Sequence, residues 1–366
     1  MGHLGAGKAD VFKALAERLD KNPVGAPVNE TLMRILHIMY SEQEAAVGSK
    51  FPQGFTTLDR LAALTGMAEG ELSPLLESMA AKGLVVDMPR RDKALYSLSP
   101  MIIGFFEYTF MRTGGSLPLA ELADLFERYH REQGVAAEFF GSETKLIHTL
   151  AYESAITPAV TTEVLDYEKA SAIIRVAGKG ALSMCYCRHQ AGHLGKACDA
   201  PVEDVCTSLG AAAEWLIRRG FARPAGVDEL LAVLDRTEAL GLVHLADNVA
   251  NNPAFICHCC SCCCWALRAV NEHGVQAVHP SNFVACVDTA ACSGCGVCAT
   301  RCPVKAASTG EGPAAAVDPG RCLGCGVCAK SCPQGAMTLV RRGQVRVPPR
   351  DKREQMLRIA KERGKL

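Results

Sequence analysis

Nineteen of the 366 residues are cysteine, and their spacing holds most of the chemistry in this sequence. From Cys292 to Pro333 the chain runs C-SG-C-GV-C-ATR-CP and then, thirty positions on, C-LG-C-GV-C-AKS-CP. The two copies share a leading Val-Asp (Val287-Asp288, Val317-Asp318), a GCGVCA core and a closing Cys-Pro. Thiolates are soft ligands, and three of them two residues apart can wrap one face of an iron–sulfur cube. Gly294, Gly296, Gly324 and Gly326 permit tight turns that bring backbone N–H groups to the sulfurs, and Pro303 and Pro333 end each loop by fixing φ. Structural zinc normally takes two separated Cys pairs rather than a tandem quadruple.

On these motifs, residues about 286–340 resemble the bacterial two-[4Fe-4S] ferredoxins. The resemblance implies a ferredoxin-like ββα repeat and a crossed ligand set. Cys292, Cys295, Cys298 and Cys332 would hold one [4Fe-4S] cluster, and Cys322, Cys325, Cys328 and Cys302 the other.

Two further groups of cysteines lie upstream. Cys185, Cys187, Cys198 and Cys206 form C-x-C-x10-C-x7-C, enough for a third cluster or one zinc. Arg188, His189, His193 and Lys196 lie among them, and positive charge would stabilise an anionic cluster. Six more cysteines crowd into Cys257–Cys264: Cys257, Cys259, Cys260, Cys262, Cys263 and Cys264. Adjacent cysteines on an extended strand point in different directions, so one metal cannot take all six. Some are expected to complete or bridge a further cluster, a fourth or a non-cubane one, with zinc as the alternative in this central region. An exposed thiolate here could be redox-active, and Trp265 is placed to shield the site from water. Cys286 is expected to be a buried orphan.

These residues need elements to position them. Ala172–Met184 has the look of a strand leading into Cys185, and helices are expected over Glu203–Arg219 and Val227–Leu240. In the N-terminal third, helical periods cover Val11–Leu19 and Asn29–Glu44. Two helices then meet at the Thr65-Gly66 turn, the second over Gly70–Lys82, followed by a hairpin of Leu84–Asp87 and Ala94–Leu98. This order is similar to a winged helix. Its charges argue against nucleic acid: residues 1–100 hold eleven Lys/Arg and twelve Asp/Glu. The helix that would read DNA carries Glu69, Glu71 and Glu77, and only Arg90, Arg91 and Lys93 on the hairpin are basic. A protein-docking role fits better. A further helix spans Leu117–Tyr129, with Glu121, Glu127, His130 and Glu132 expected on a solvated face.

Composition narrows the class. Net charge is zero, so no global field points to nucleic acid or to an anionic surface. The longest apolar run, Met101–Met111, contains Glu107 and is too short to cross a bilayer. No signal-like start is visible, and metal-ligand spacings replace those of a disulfide scaffold, so a cytoplasmic protein of anaerobic metabolism is expected. The tail from Val340 holds ten Lys/Arg against three acids, matching an acidic redox partner or the body of the chain.

The expected fold is α+β and multi-domain. It comprises a winged-helix-like docking domain (1–112), a helical connector (113–180), a helical cysteine-rich domain (181–285), the two-cluster ferredoxin domain (286–340) and a basic tail (341–366). The expected function is one-electron relay between a low-potential donor and a partner redox enzyme. The partner would be a ferredoxin, a flavoprotein or a multi-subunit oxidoreductase, and an oligomer stays open. The alternatives are an iron–sulfur reductase with a catalytic cluster at Cys257–Cys264, or a redox-sensing DNA-binding regulator. Neither GxGxxG nor GxxxxGK[ST] occurs, so no nucleotide site is legible.

Overall fold

The computed structural model describes residues 6–90, 93–156, 165–309, 312 and 314–366; Arg91, expected on the basic hairpin, lies outside them. Helices and four separate sheets give a mixed α and β, multi-domain architecture.

The N-terminal unit opens with helices Ala6–Asp20, Glu30–Met39 and Glu42–Ser49. The single helix expected over 29–44 is therefore two. Asn29 caps the first through Leu32 N–H, and Tyr40 leaves the helical region at φ −111°. Ser41 and Glu44 then close a reciprocal capping box that starts the next helix, an S-x-x-E signal lying within the apolar period. Helices Leu58–Thr65 and Glu69–Ala81 follow, with Gly66 in the left-handed region between them. Strands Thr56–Thr57, Lys93–Leu98 and Val85–Arg90 form an antiparallel sheet in that order.

This sheet docks on the rest of the chain through Asp87. Its carboxylate accepts from Trp215 Nε1 at 3.0 Å, from Arg218 at 2.6 Å and from Arg219 at 2.8 and 2.7 Å. Arg219 also pairs with Glu77 of helix Glu69–Ala81. Burial opposes ionisation of Asp87, but the hydrogen bonds from Arg219, Arg218 and Trp215 prevail and hold it below the usual carboxylate range.

The cysteine-rich region is not the helical domain expected. It is built on a seven-stranded sheet in the order Val278–His279, Ile147–Leu150, Val243–Asp247, Phe255–Cys259, Cys206–Leu209, Lys179–Ser183, Arg223–Gly226. All neighbours are antiparallel except the first pair. Two expectations are corrected with it. Ala172–Met184 is the end of helix Ala170–Ala177 and then strand Lys179–Ser183, with Gly178 at φ 72° terminating the helix. Glu203–Arg219 begins as strand Cys206–Leu209 and turns helical only at Gly210–Arg218. Short apolar runs fit either period, and pairing with the neighbouring strands decides. Helix Val227–Ala239 forms close to its expected span.

Helix Leu119–Arg131 lies as expected, but Glu127 and His130 are buried rather than solvated. Arg268, distant in sequence, donates to both Glu127 oxygens at 2.9 and 3.0 Å, and Arg131 adds a bond at 2.8 Å. The basic tail folds back on the body. Lys352 pairs with Asp247 at 2.7 Å, and Lys365 with Glu138 at 2.8 Å. The buried Gln355 amide spans the carbonyls of Lys145, Leu146 and Asn248. Among the described residues no helix is long and apolar enough to cross a membrane.

Candidate metal centres

In the repeat, strands Phe283–Val287 and Met337–Arg341 pair, as do Ala307–Thr309 and Ala315–Val317, and each Cys triplet runs into a short helix, Val297–Arg301 or Val327–Ser331. Cys292, Cys295, Cys298 and Cys332 line one pocket of about 310 Å³, closed by Pro333 and Met337. The fourth cysteine of the second run is therefore carried to the first triplet. Reciprocally, Cys302 lies within electrostatic reach of Cys325 and Cys328, beside Cys322. Backbone N–H groups point at sulfur: Ala306 to Cys302 at 3.1 Å, Ala315 to Cys292 at 3.4 Å and Gly324 to Cys322 at 3.4 Å. A donor set of four thiols ringed by N–H groups fits an anionic iron–sulfur cluster.

The glycines show how closely the loops are packed. Gly324 has φ 65°, and a Cβ there would lie 2.1 Å from the Phe283 carbonyl oxygen; at Gly326, φ 89°, it would press on Tyr152 at 3.0 Å. Burial separates the two rings. In the first, Cys295 is exposed, Cys292 and Cys332 half-buried and Cys298 buried; in the second, Cys322, Cys325 and Cys328 are buried and Cys302 half-buried. Burial pushes the Cys328 thiol up to about 12 and raises Cys325 as well, so metal binding there must release protons.

A continuous buried contact leads inward from the second ring. Tyr152 N–H donates to the Cys325 carbonyl at 3.0 Å. The Tyr152 ring lies 5.0 Å from His244, and His244 lies 4.9 Å from His258. Strand pairing sets His244 opposite His258 and Leu245 opposite Cys257. Thr237 Oγ1 bonds both imidazoles, at 3.2 and 2.9 Å. Burial depresses His244 to about 3, and burial, His244 and Arg188 depress His258, so both rings are neutral near pH 7.

His258 sits between cysteines because strand Phe255–Cys259 alternates. Phe255, Cys257 and Cys259 share one face, with Ile256 and His258 on the other. Cys264 precedes helix Trp265–Glu272, Cys185 precedes helix Tyr186–His193, and Cys206 opens the strand paired with Ser183. Cys185, Cys187, Cys206, Cys257, Cys259 and Cys264 thereby line one cavity of about 310 Å³, with Cys260 of the following loop also on its wall. Successive thiol contacts join Cys206 to Cys257, Cys257 to Cys259, Cys259 to Cys264 and Cys264 to Cys187. The Tyr186 hydroxyl lies 3.9 Å from Cys257 Sγ. Hydrogen bonds from neighbouring thiols hold Cys257 and Cys264 well below the usual thiol range, and burial pushes Cys185 up to about 12. Six sulfurs exceed what one tetrahedral ion takes, so this ring fits a polynuclear group.

Cys198 does not join Cys185, Cys187 and Cys206, contrary to the sequence-based grouping. Helix Tyr186–His193 and the turn at Gly195, φ 65°, carry it to the loop after Cys259. There the sulfurs of Cys198, Cys260, Cys262 and Cys263 lie within 4.8 Å of one another, with Cys198–Cys260 at 3.6 Å and Cys262–Cys263 at 3.7 Å. A tetrahedron with 2.3 Å metal–sulfur bonds has edges of roughly 3.8 Å, so four thiols at this separation fit a single ion. Contacts from Cys263, with the Arg188 charge among the lesser causes, hold Cys260 down at about 5.

Arg188 is fully buried within reach of Cys185, Cys259, Cys260 and Cys198, and its guanidinium also donates to the carbonyls of Pro201 and His258. Of the other expected cations, His189 bonds the Phe110 carbonyl, and Lys196 pairs with Glu127 in a pocket it shares with Cys187, Cys262 and Cys263. Cys286 is exposed, not a buried orphan. Trp265 is buried, stacked on Phe106 at 3.8 Å, with its N–H on Gln190. Sequence reading missed Tyr152, His244, His258 and Glu107; only His258, flanked by cysteines, carried a local signal. Glu107 is buried near Cys257, accepts from Gly104 N–H at 2.8 Å, and is pushed up to about 7 by that burial.

Compared with known proteins, residues 291–336 match the 4Fe-4S dicluster domain family, a span that includes all eight cysteines of the repeat. No curated protein and no solved structure matches the chain. The chain thus carries a 4Fe-4S dicluster domain beside a cluster of four cysteines fit to bind metal.

Proposed function

We propose that this chain is an iron–sulfur electron-transfer protein that accepts single electrons at the ring of Cys292, Cys295, Cys298 and Cys332, which reaches the surface at Cys295, and delivers them inward to the ring of six thiols. The observation that carries this reading is the buried contact from Cys325 through Tyr152 and His244 to His258, which runs from the dicluster domain to strand Phe255–Cys259, the strand that also carries Cys257 and Cys259. One-electron exchange is what [4Fe-4S] groups supply when bound in such rings. The chain's residues do the rest. Cys322, Cys325, Cys328 and Cys302 hold the inner site of the pair. Neutral His244 and His258 keep the route free of a charge that would trap an electron. Arg188 offsets the negative charge of the central thiolates.

The six-thiol ring is read as the seat of a third cluster, and Cys198, Cys260, Cys262 and Cys263 as the seat of one tetrahedral ion, zinc or iron. The N-terminal unit is read as a winged helix used for docking. Glu77 and Asp87 are already engaged by Arg218 and Arg219 of this chain, which supports docking over DNA binding. A soluble redox protein is the partner that a near-surface cluster ring suits, in a reducing cytoplasm.

Iron, zinc and acid-labile sulfide per chain, measured after anaerobic purification alongside EPR of the dithionite-reduced protein, test the reading. About twelve irons with one further tetrahedral ion are expected, and about eight irons, the dicluster pair alone, would remove the central cluster. In His244→Leu the iron count should stand while reduction of the central signal by a dicluster-directed donor slows.

A further inference from the structure

Next to the ring cavity lies a second pocket, of about 470 Å³ counted together with the solvent space at its mouth, and Arg188 does not line it. Cys187, Cys257, Cys259 and Cys264 line both this chamber and the ring cavity, so it opens directly on the sulfurs. Its other walls are apolar, with Ile103, Phe106, Phe140, Leu245 and Trp265 prominent. Among the described residues, Glu107 is its only carboxyl, Tyr186 its only hydroxyl, and no cation lines it.

Two energetic costs converge at its wall. Ile103 is β-branched yet sits at φ 51°, ψ 49°, in the left-handed region that disfavours branched side chains most. Glu107 is a buried carboxyl with no ion pair among the described contacts. Strain and a buried acid gathered on the wall of a largely apolar pocket that opens on four thiols are the marks of a ligand site rather than of ordinary packing.

We propose that this chamber binds a small neutral molecule, apolar along its length with one polar end, and holds that end between Glu107 and the thiol ring. The absence of a cation on the walls disfavours anions, and the aromatic and aliphatic lining desolvates any charge. A group held by the ring would then meet its ligand away from bulk water. The inference rests on the reading of the ring as a cluster seat, and the test separates the two.

The probe is n-butyl isocyanide, neutral and apolar with one lone-pair end, titrated into the full-length, anaerobically purified protein. Binding heat is read by calorimetry, and the central signal by EPR. Saturable binding at one site per chain with a changed central EPR signal is expected. Ala266→Leu, which fills the chamber, should weaken binding at least about tenfold while leaving iron and sulfide unchanged. Phe140→Leu, which enlarges it, should admit cyclohexyl isocyanide more tightly than the parent does. No saturable heat in a protein with about twelve irons overturns the chamber, as does binding indifferent to both substitutions. Saturable heat with only about eight irons keeps the chamber and overturns the cluster reading of the ring; about eight irons and no heat overturns both.

Discussion

Cys198 and Cys206 belong to one set by spacing and to two sets in the structure, so replacing each with serine separates the two arrangements. Cys198 Sγ lies 3.6 Å from Cys260 Sγ in a group whose four sulfurs are all within 4.8 Å. Structural sites of this kind bind zinc with about 12 kcal/mol at pH 7, so one ligand of four is worth about 3 kcal/mol, or roughly 150-fold in affinity. Cys198→Ser should therefore lose its single ion to a chelator at a concentration more than a hundredfold lower than the parent needs. It should keep the iron of the six-thiol ring. Cys206→Ser should do the reverse, depleting about four irons and the central EPR signal while the tetrahedral ion stays. The assay is metal analysis along a chelator titration, with EPR on the same samples. If both substitutions strip the same metal and the same signal, the partition argued here is wrong.

Other consequences are open to measurement. Tyr152→Leu removes the ring against His244 while keeping the backbone bond to Cys325, and rapid-mixing kinetics should show slower reduction of the central site with the dicluster signals unchanged. Asp87→Asn leaves Arg218 and Arg219 facing a neutral group; a loss of roughly 3 kcal/mol is expected in denaturant unfolding, and an unchanged midpoint would deny the clamp its role. Burial opposes ionisation of Glu127, but Arg268 and Arg131 overcome it and lower its pKa from 4.5 to about 2. Because the folded value is the lower one, its stabilising contribution is complete above pH 4.5 and is lost as pH falls to about 2. Acid unfolding of Glu127→Gln should lack that component.

What the sequence determined by itself is the dicluster domain. All eight of its cysteines fall within 41 residues, Cys292–Cys332, in two copies whose glycines and prolines build each loop locally. Ligands that close in sequence need little tertiary help, so spacing alone states the chemistry. The crossing of Cys332 to the first triplet came from family resemblance; in the structure Cys332 lines one pocket with Cys292, Cys295 and Cys298. Helices with a clean 3.6 period, such as Val227–Ala239 and Leu119–Arg131, were legible for the same reason.

Only the tertiary structure decided the central region. Its ten thiols come from segments brought together by strand pairing, Ser183 on Cys206 and Thr207 on Ile256, and the two sets interleave along the chain. Cys259 and Cys260 are neighbours in sequence, yet the strand ends between them, and only Cys260 joins the group of Cys198, Cys262 and Cys263. Glu127 was expected in solvent because nothing local pairs it inward; Arg268 reaches it from 141 residues away. The same holds for Tyr152, His244 and His258, and for Glu107 at the wall of the chamber. Spacing encodes contacts within a loop or a helix turn, whereas a sheet joins residues whose separation along the chain carries no signal.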